Sequence, residues 1–266
     1  MTDLPASVRK ATIVTGASEG IGAELARQFA AGGREVVLVA RRRDLLEALA
    51  AEIDAKGAKA HVVELDLCEE GAVDVLEKAL AQSGLTPEIL VNNAGFGLIG
   101  PAAKLGEAEQ LAMVDLNVRA LTALTLRFLK PIIEAKGAIL NVASIASFMP
   151  GPNFAIYYAT KAYVRSFSEA LAEEMAPLGV KVSCLCPGPV ETGFQARAGF
   201  DFTGAMTAMK SSLVSAEEVA RQGYEGLMAG KRVVIPGVMN RVTVAFARLA
   251  PRAMLMPILA FAQNGR

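Results

Sequence analysis

The 266-residue chain has one histidine, three cysteines and no excess of either charge: 27 Lys and Arg balance 27 Asp and Glu. A nucleic-acid-binding domain normally carries a basic surplus, so no nucleic-acid partner is expected. Three cysteines (Cys68, Cys184 and Cys186) cannot form a fully paired disulfide framework, which fits a reducing, cytoplasmic setting. Cys184 and Cys186 alternate along an apolar run and read as core residues. His61 lies in another such run, and no Cys-x-x-Cys pair accompanies it, so no metal site is expected. A Ser-His-Asp hydrolase is disfavoured for the same reason, and no Gly-x-Ser-x-Gly elbow is present. Residues 1–10 contain no apolar core of a secretory signal. The most apolar stretch, 242–262, is interrupted by Arg248, Pro251, Arg252 and Pro257, short of the ~18 consecutive apolar residues of a spanning helix.

What the chain does have is apolar residues, 53% of the total, which excludes a disordered chain. Short apolar runs alternate with longer amphipathic ones. Strands are read at 11–14, 36–40, 60–65, 89–91, 138–142, 180–186 and 233–235. Helices are read between them at 21–31, 44–55, 69–82, 107–135 (one or two), 155–177 and 215–229. Ser215, with Glu218 three residues on, marks the start of the last. Strands bare of polar residues belong to a sheet covered on both faces. The alternation predicts an α/β fold: a Rossmann-like, doubly wound parallel sheet of about seven strands with helices on both faces. Residues 1–266 read as a single domain, with 237–266 a C-terminal extension forming an apolar helical tail.

Three groups of residues carry chemistry. Thr15-Gly16-Ala17-Ser18-Glu19-Gly20-Ile21-Gly22 follows the first strand and opens the first helix. Glycines there let the backbone turn sharply and approach a pyrophosphate, while the helix N-terminus offers free N–H groups. Tyr157 and Lys161 are four apart and share a helix face. An ammonium beside a phenol favours phenolate, and the pair can move a proton at a carbonyl or alcohol oxygen. Ser144 lies thirteen residues before Tyr157 at the end of a strand, where parallel sheets bind ligands. Its hydroxyl could hold a substrate oxygen; Ser147 competes for that role.

In order, the glycine turn, Asn92-Asn93-Ala94-Gly95, Asn117, Ser144, Tyr157, Lys161 and Pro187-Gly188 resemble the classical branch of the short-chain dehydrogenase/reductase family over about residues 9–236. The resemblance implies an oxidoreductase. Tyr157 would be the general acid/base. Lys161 would depress its pKa and hold the nicotinamide ribose, Ser144 would orient the substrate oxygen, and Asn117 would hold a water in the proton relay. The glycine turn (Gly16, Ser18, Glu19, Gly20, Ile21, Gly22) would take the pyrophosphate. Asn93, Ala94 and Gly95 would border the adenosine ribose, Asp66 and Leu67 would contact adenine, and Pro187, Gly188, Val190 and Thr192 would position the carboxamide end. Where NAD enzymes carry an acid after the second strand, this chain reads Ala40-Arg41-Arg42-Arg43. Guanidinium groups suit a 2′-phosphate, so NADP(H) is expected over NAD(H), with Arg41 and Arg42 as the clamp. Glu19 departs from the basic residue that many NADP members have in the turn.

Residues 193–212 correspond to the family's substrate lid. Phe194, Phe200, Phe202, Met206 and Met209 would give an apolar wall there, joined by Phe96, Phe148, Met149 and Phe154. The expected activity is an NADPH-dependent carbonyl reductase, or alcohol dehydrogenase, acting on a hydrophobic small molecule. The alternatives are an NADP(H)-binding sensor or scaffold with little catalysis, or a membrane-surface lipid-binding protein that uses its tail. The tail itself could cover the substrate mouth, mediate dimerisation, or lie on a membrane as a basic amphipathic helix; the first two together are favoured. A homodimer or homotetramer is expected from the resemblance.

Overall fold

The computed structural model describes residues 9–190 and 214–264. Seven parallel strands are β1 (Arg9–Thr15), β2 (Glu35–Ala40), β3 (Ala60–Glu64), β4 (Leu85–Asn92), β5 (Ala138–Val142), β6 (Lys181–Leu185) and β7 (Val233–Val234). They stand in the order β3-β2-β1-β4-β5-β6-β7. Helices α1 (Gly20–Ala31), α2 (Arg43–Ala55), α3 (Ala72–Gln82), α4 (Glu107–Val114), α5 (Leu121–Glu134), α6 (Ala155–Met175) and α7 (Ala216–Met228) connect them, and α8 (Val238–Leu249) and α9 (Arg252–Asn264) follow.

The strands are apolar throughout because both faces are covered. Successive side chains point to opposite faces. Val14, Leu38 and Leu140 therefore pack with Leu25, Phe29, Leu46 and Val219 from α1, α2 and α7. Their neighbours Ile13, Val37 and Ile139 pack with Leu76, Phe128 and Leu171 from α3, α5 and α6. Between the layers runs one buried polar chain. Asn92 Nδ2 donates to Thr125 Oγ1 at 3.0 Å and to Asn141 Oδ1 at 2.9 Å, and Asn141 Nδ2 donates to Ser168 Oγ at 2.9 Å. It ties β4 and β5 to α5 and α6.

Strand β4 departs from the sequence expectation, and the 107–135 region, expected as one or two helices, is two. Strand β4 begins at Leu85 rather than near 89 and runs through Pro87. Proline cannot donate to a ladder, and it is accommodated here at a bulge, where the register against β1 shifts between Ala11 and Thr12. The 107–135 region is α4 and α5 joined by Asp115–Ala120, a turn wound wider as a π-helix; such widened turns are frequent at functional sites.

The parallel pairing of β4 and β5 leaves no room at Gly137, where a Cβ would meet the Glu88 main-chain oxygen head-on. Gly137→Ala should lower stability by about 1–3 kcal/mol through overpacking, read as a lower denaturant midpoint. An unchanged midpoint would contradict so close an approach.

Candidate active site

A cleft of about 840 Å³ opens at the C-terminal ends of the strands, where the order reverses between β1 and β4. This is the position at which doubly wound sheets bind ligands. Its lining includes the whole turn from Gly16 to Gly22 except Ala17, together with Arg41, Arg42, Asp66, Leu67, Asn93, Ala94 and Gly95. At the other end stand Ser144, Tyr157, Lys161, Pro187, Gly188 and Val190, with Phe96 and Phe154. Most of the residues expected from sequence therefore converge. Thr192 and Phe194, like Phe200, Phe202, Met206 and Met209, lie outside the described residues.

The glycine turn and the loop after β4 are built against each other. Thr15 Oγ1 accepts from the main-chain N–H of Asn93 and of Ala94, both at 3.0 Å, and donates to the Val91 carbonyl at 3.2 Å. Asn93 Nδ2 donates to the carbonyls of Thr15 at 3.0 Å and Gly16 at 3.3 Å. Gly16 has φ 65°, and a Cβ there would lie 2.9 Å from Ala94 Cα. A Cβ on Gly22 would strike the Gly16 carbonyl. The side chains absent at these positions leave a groove at the N-terminus of α1, whose free N–H groups suit an anionic phosphate. The residues present thus fit a dinucleotide.

The charged end of the groove holds an arrangement that the sequence reading missed. Arg42 Nη2 reaches back to Ser18 Oγ at 2.9 Å and to Glu19 Oε1 at 2.8 Å. Glu19, the acid that departs from the family pattern, is thereby neutralised by Arg42. Arg41 lies 3.4 Å from Asp66 Oδ2 with its side chain 65% exposed. Asp66 also accepts from the Cys68 N–H at 3.0 Å. No single position signals a contact across 23 residues such as Glu19–Arg42.

At the other end, Tyr157 and Lys161 are both buried on α6. Phe154 stacks on the Tyr157 ring at 4.3 Å between centroids and an interplanar angle of 13°. The Lys161 ammonium lies 5.7 Å from the Tyr157 ring centroid and donates to the Val142 carbonyl at 2.9 Å. Burial brings Lys161 down from the ordinary lysine range to about 8. Burial also pushes the Tyr157 phenol above its ordinary value, against the opposing pull of a hydrogen bond with Ser144. The lowering of the Tyr157 pKa that the resemblance implied is therefore not found in the folded chain: desolvation outweighs the Ser144 hydrogen bond that opposes it. A phenol kept protonated is equipped to give a proton.

Ser144 is extended at the end of β5. Its hydroxyl accepts from the Ala146 N–H at 3.1 Å and faces the Pro187 carbonyl at 3.4 Å. Ser147 is buried with Oγ 3.9 Å from Cys186 Sγ and does not line the cleft. Of the two serines, only Ser144 faces Tyr157. Asn117, in the widened turn, stands behind the cleft wall. Its Nδ2 donates to the Phe96 carbonyl at 2.9 Å and to Thr160 Oγ1 at 3.1 Å, and its Oδ1 accepts from the Phe96 N–H at 3.1 Å. Its amide thus fastens the loop after β4 to α6. Phe148 does not line the cleft; it stacks with Arg165 at 4.4 Å and faces Arg248 at 5.6 Å. Leu98, Ile99, Ala146 and Tyr158 form apolar walls that no motif indicated, and Glu109 adds a carboxylate to the lining.

Ser144, Tyr157 and Lys161 can hold an oxygen atom and exchange a proton with it, beside a groove shaped for a dinucleotide. Comparison with known proteins agrees. Residues 10–200 match the family model described as short chain dehydrogenase. A sulfoacetaldehyde reductase of Chromohalobacter salexigens is 35% identical over 216 residues, 79% of this chain and 85% of that protein. A short-chain dehydrogenase from Sphingobium yanoikuyae in complex with NADPH superposes with TM-score 0.78 at 30% identity, covering 93% of this chain and 95% of that one. A 3-ketoacyl-(acyl-carrier-protein) reductase from Brucella melitensis complexed with NADH gives TM-score 0.74 at 33% identity over 86% and 96%. The chain belongs to the short-chain dehydrogenase/reductase family and is an oxidoreductase of alcohol and carbonyl groups that works with a nicotinamide cofactor.

Proposed function

We propose that this enzyme is an NADPH-dependent carbonyl reductase, reversible as an alcohol dehydrogenase, acting on a hydrophobic ketone, aldehyde or secondary alcohol. The observation that carries the reading is the meeting of Ser144, Tyr157 and Lys161 at the apolar end of the cleft. The bound cofactor supplies or takes up the hydride. Ser144 steadies the substrate oxygen by a hydrogen bond. Tyr157 gives that oxygen its proton in the reductive direction. Lys161, charged below about pH 8, stabilises the tyrosinate that remains. Phe154 fixes the plane of the tyrosine ring. Asn117 is a positioning residue that acts through the Phe96 main chain and Thr160.

Preference for NADPH rests on charge. Strand β2 ends in Ala40 without an acid, and Arg41 and Arg42 both line the groove. Two cations there suit a 2′-phosphate, and pairing with Arg42 offsets the carboxylate of Glu19. Substrate apolarity is supported by Phe96, Leu98, Ile99 and Phe154 in the lining. Among the described lining residues near them, Lys161 is the one cation, and it is committed to the Val142 carbonyl. That arrangement does not favour an anionic substrate such as the one for which the Chromohalobacter relative is named. Exposed Leu111, Leu126 and Tyr163 on α4, α5 and α6 support a homodimer or homotetramer. The three free thiols support a cytoplasmic setting. Among the described residues no helix is long and apolar enough to cross a membrane.

Tyr157→Phe should reduce turnover by about 10²–10⁴-fold, the usual worth of a general acid, with NADPH affinity by fluorescence titration largely kept. Near-normal turnover would sink the assignment. Arg41→Asp should move the NADPH/NADH ratio of kcat/KM toward NADH by at least about tenfold, the worth of one charged hydrogen bond. An unchanged ratio would remove Arg41 from the clamp.

A further inference from the structure

Helix α8 turns its broad apolar side away from the protein. Its buried residues are Val244 and Ala247, and Asn240 seats the first turn on Gly188, where a Cβ would collide with the Asn240 amide. On the opposite side Val238 is 74% exposed, Val242 57%, Phe246 53% and Leu249 85%. Their spacing of four, four and three residues places them in one stripe along the helix. A helix that serves only its own core turns that stripe inward. Arg241 and Arg248, seven apart, run along one edge of it. Arg252 follows at the start of α9, where Met254 is also 60% exposed. Among the described residues no carboxylate pairs with any of these three arginines. Residues 226–266 hold six basic and no acidic side chains in a chain of zero net charge.

We propose that this face of α8 docks on the surface of an anionic lipid bilayer, with the helix lying in the interface plane. An exposed apolar stripe edged by arginines has the composition of interfacial helices, and the one-sided charge calls for a negatively charged partner. A second copy of this chain is a poor occupant, because a two-fold contact sets the same patch against itself and brings like-charged arginines together. The stripe also offers little to hydrogen-bond: Thr243, at its margin, donates to the Met239 carbonyl at 3.0 Å. A bilayer needs only apolar depth and negative charge. The placement has a further consequence. Asn240 touches Gly188 of the cleft and Arg248 faces Phe148 in the loop after Ser144, so docking would set the membrane beside the cleft.

The test is co-sedimentation of the full chain with phosphatidylcholine vesicles, with and without phosphatidylglycerol, at low and high salt. Vesicles containing phosphatidylglycerol should pellet the protein, neutral vesicles should do so much less, and salt should release it. Phe246→Glu should weaken binding about tenfold or more, the worth of one buried phenyl group. Arg241→Gln combined with Arg252→Gln should abolish the preference for phosphatidylglycerol while circular dichroism stays unchanged, which separates docking from misfolding. Equal pelleting of wild type and both variants, or no pelleting of wild type, would overturn the proposal. So would a monomer produced by Phe246→Glu from an oligomer that ignores vesicles, which would make this face a contact between copies. Capture of an acidic protein without any binding to vesicles would overturn it as well.

Discussion

A charged ammonium held out of water is the constraint that organises this molecule. Lys161 is 5% exposed, and desolvation, the dominant cause, brings its pKa down to about 8. Such a group is tolerated only where its surroundings are fixed. Its partner, the Val142 carbonyl, belongs to the last residue of β5, a strand held between β4 and β6. The helix that carries it is tied through Ser168 and Asn141 to that same strand. The buried asparagine chain between the layers therefore does more than satisfy polar atoms. It sets the height of α6 against the sheet, and so where the ammonium, and the phenol one turn before it, stand relative to the end of β5.

The second condition is close approach of backbones. Gly16, Gly22 and Gly95 all stand where a Cβ would collide with neighbouring atoms, those of Asn93, Ala94 and Asn117 among them. One consequence is a groove deep enough for a cofactor's phosphates. Another is that Asn117, pressed against Gly95, can grip Phe96 by both its main-chain N–H and carbonyl. Substrate wall and cofactor floor are thus parts of one rigid unit, and proton donor and cofactor groove keep a fixed relation. Preorganisation of this kind is what proximity catalysis requires.

Much of this was legible in the sequence because it depends on local period and on glycine. The sheet follows from apolar runs such as Val36–Ala40. Tyr157 and Lys161 share a face because four residues are about one helical turn. What stayed hidden depends on contacts distant in the chain or on direction. The sequence reads as a strand only from 89, and nothing local shows that a bulge opposite Ala11 lets β4 run back through Pro87. Arg42 is one basic residue of three in sequence, and only folding brings it to Glu19. Phe148 was expected at the substrate, but a short helical turn, capped by Ser144, aims it at two arginines. Leu98 and Ile99 lie in a loop without periodicity, so nothing marked them as cleft wall. For the tail, a basic amphipathic helix is one of three readings of the sequence, but its apolar residues alone do not say which side of α8 the core occupies.

The account's central claim is that a buried, protonated tyrosine serves a carbonyl oxygen in an apolar cleft. Its most direct test is NADPH oxidation by the purified enzyme across ketones and aldehydes of graded size and apolarity. Turnover should appear and rise with apolar bulk. Tight NADPH binding with no turnover of any carbonyl in the series would contradict it.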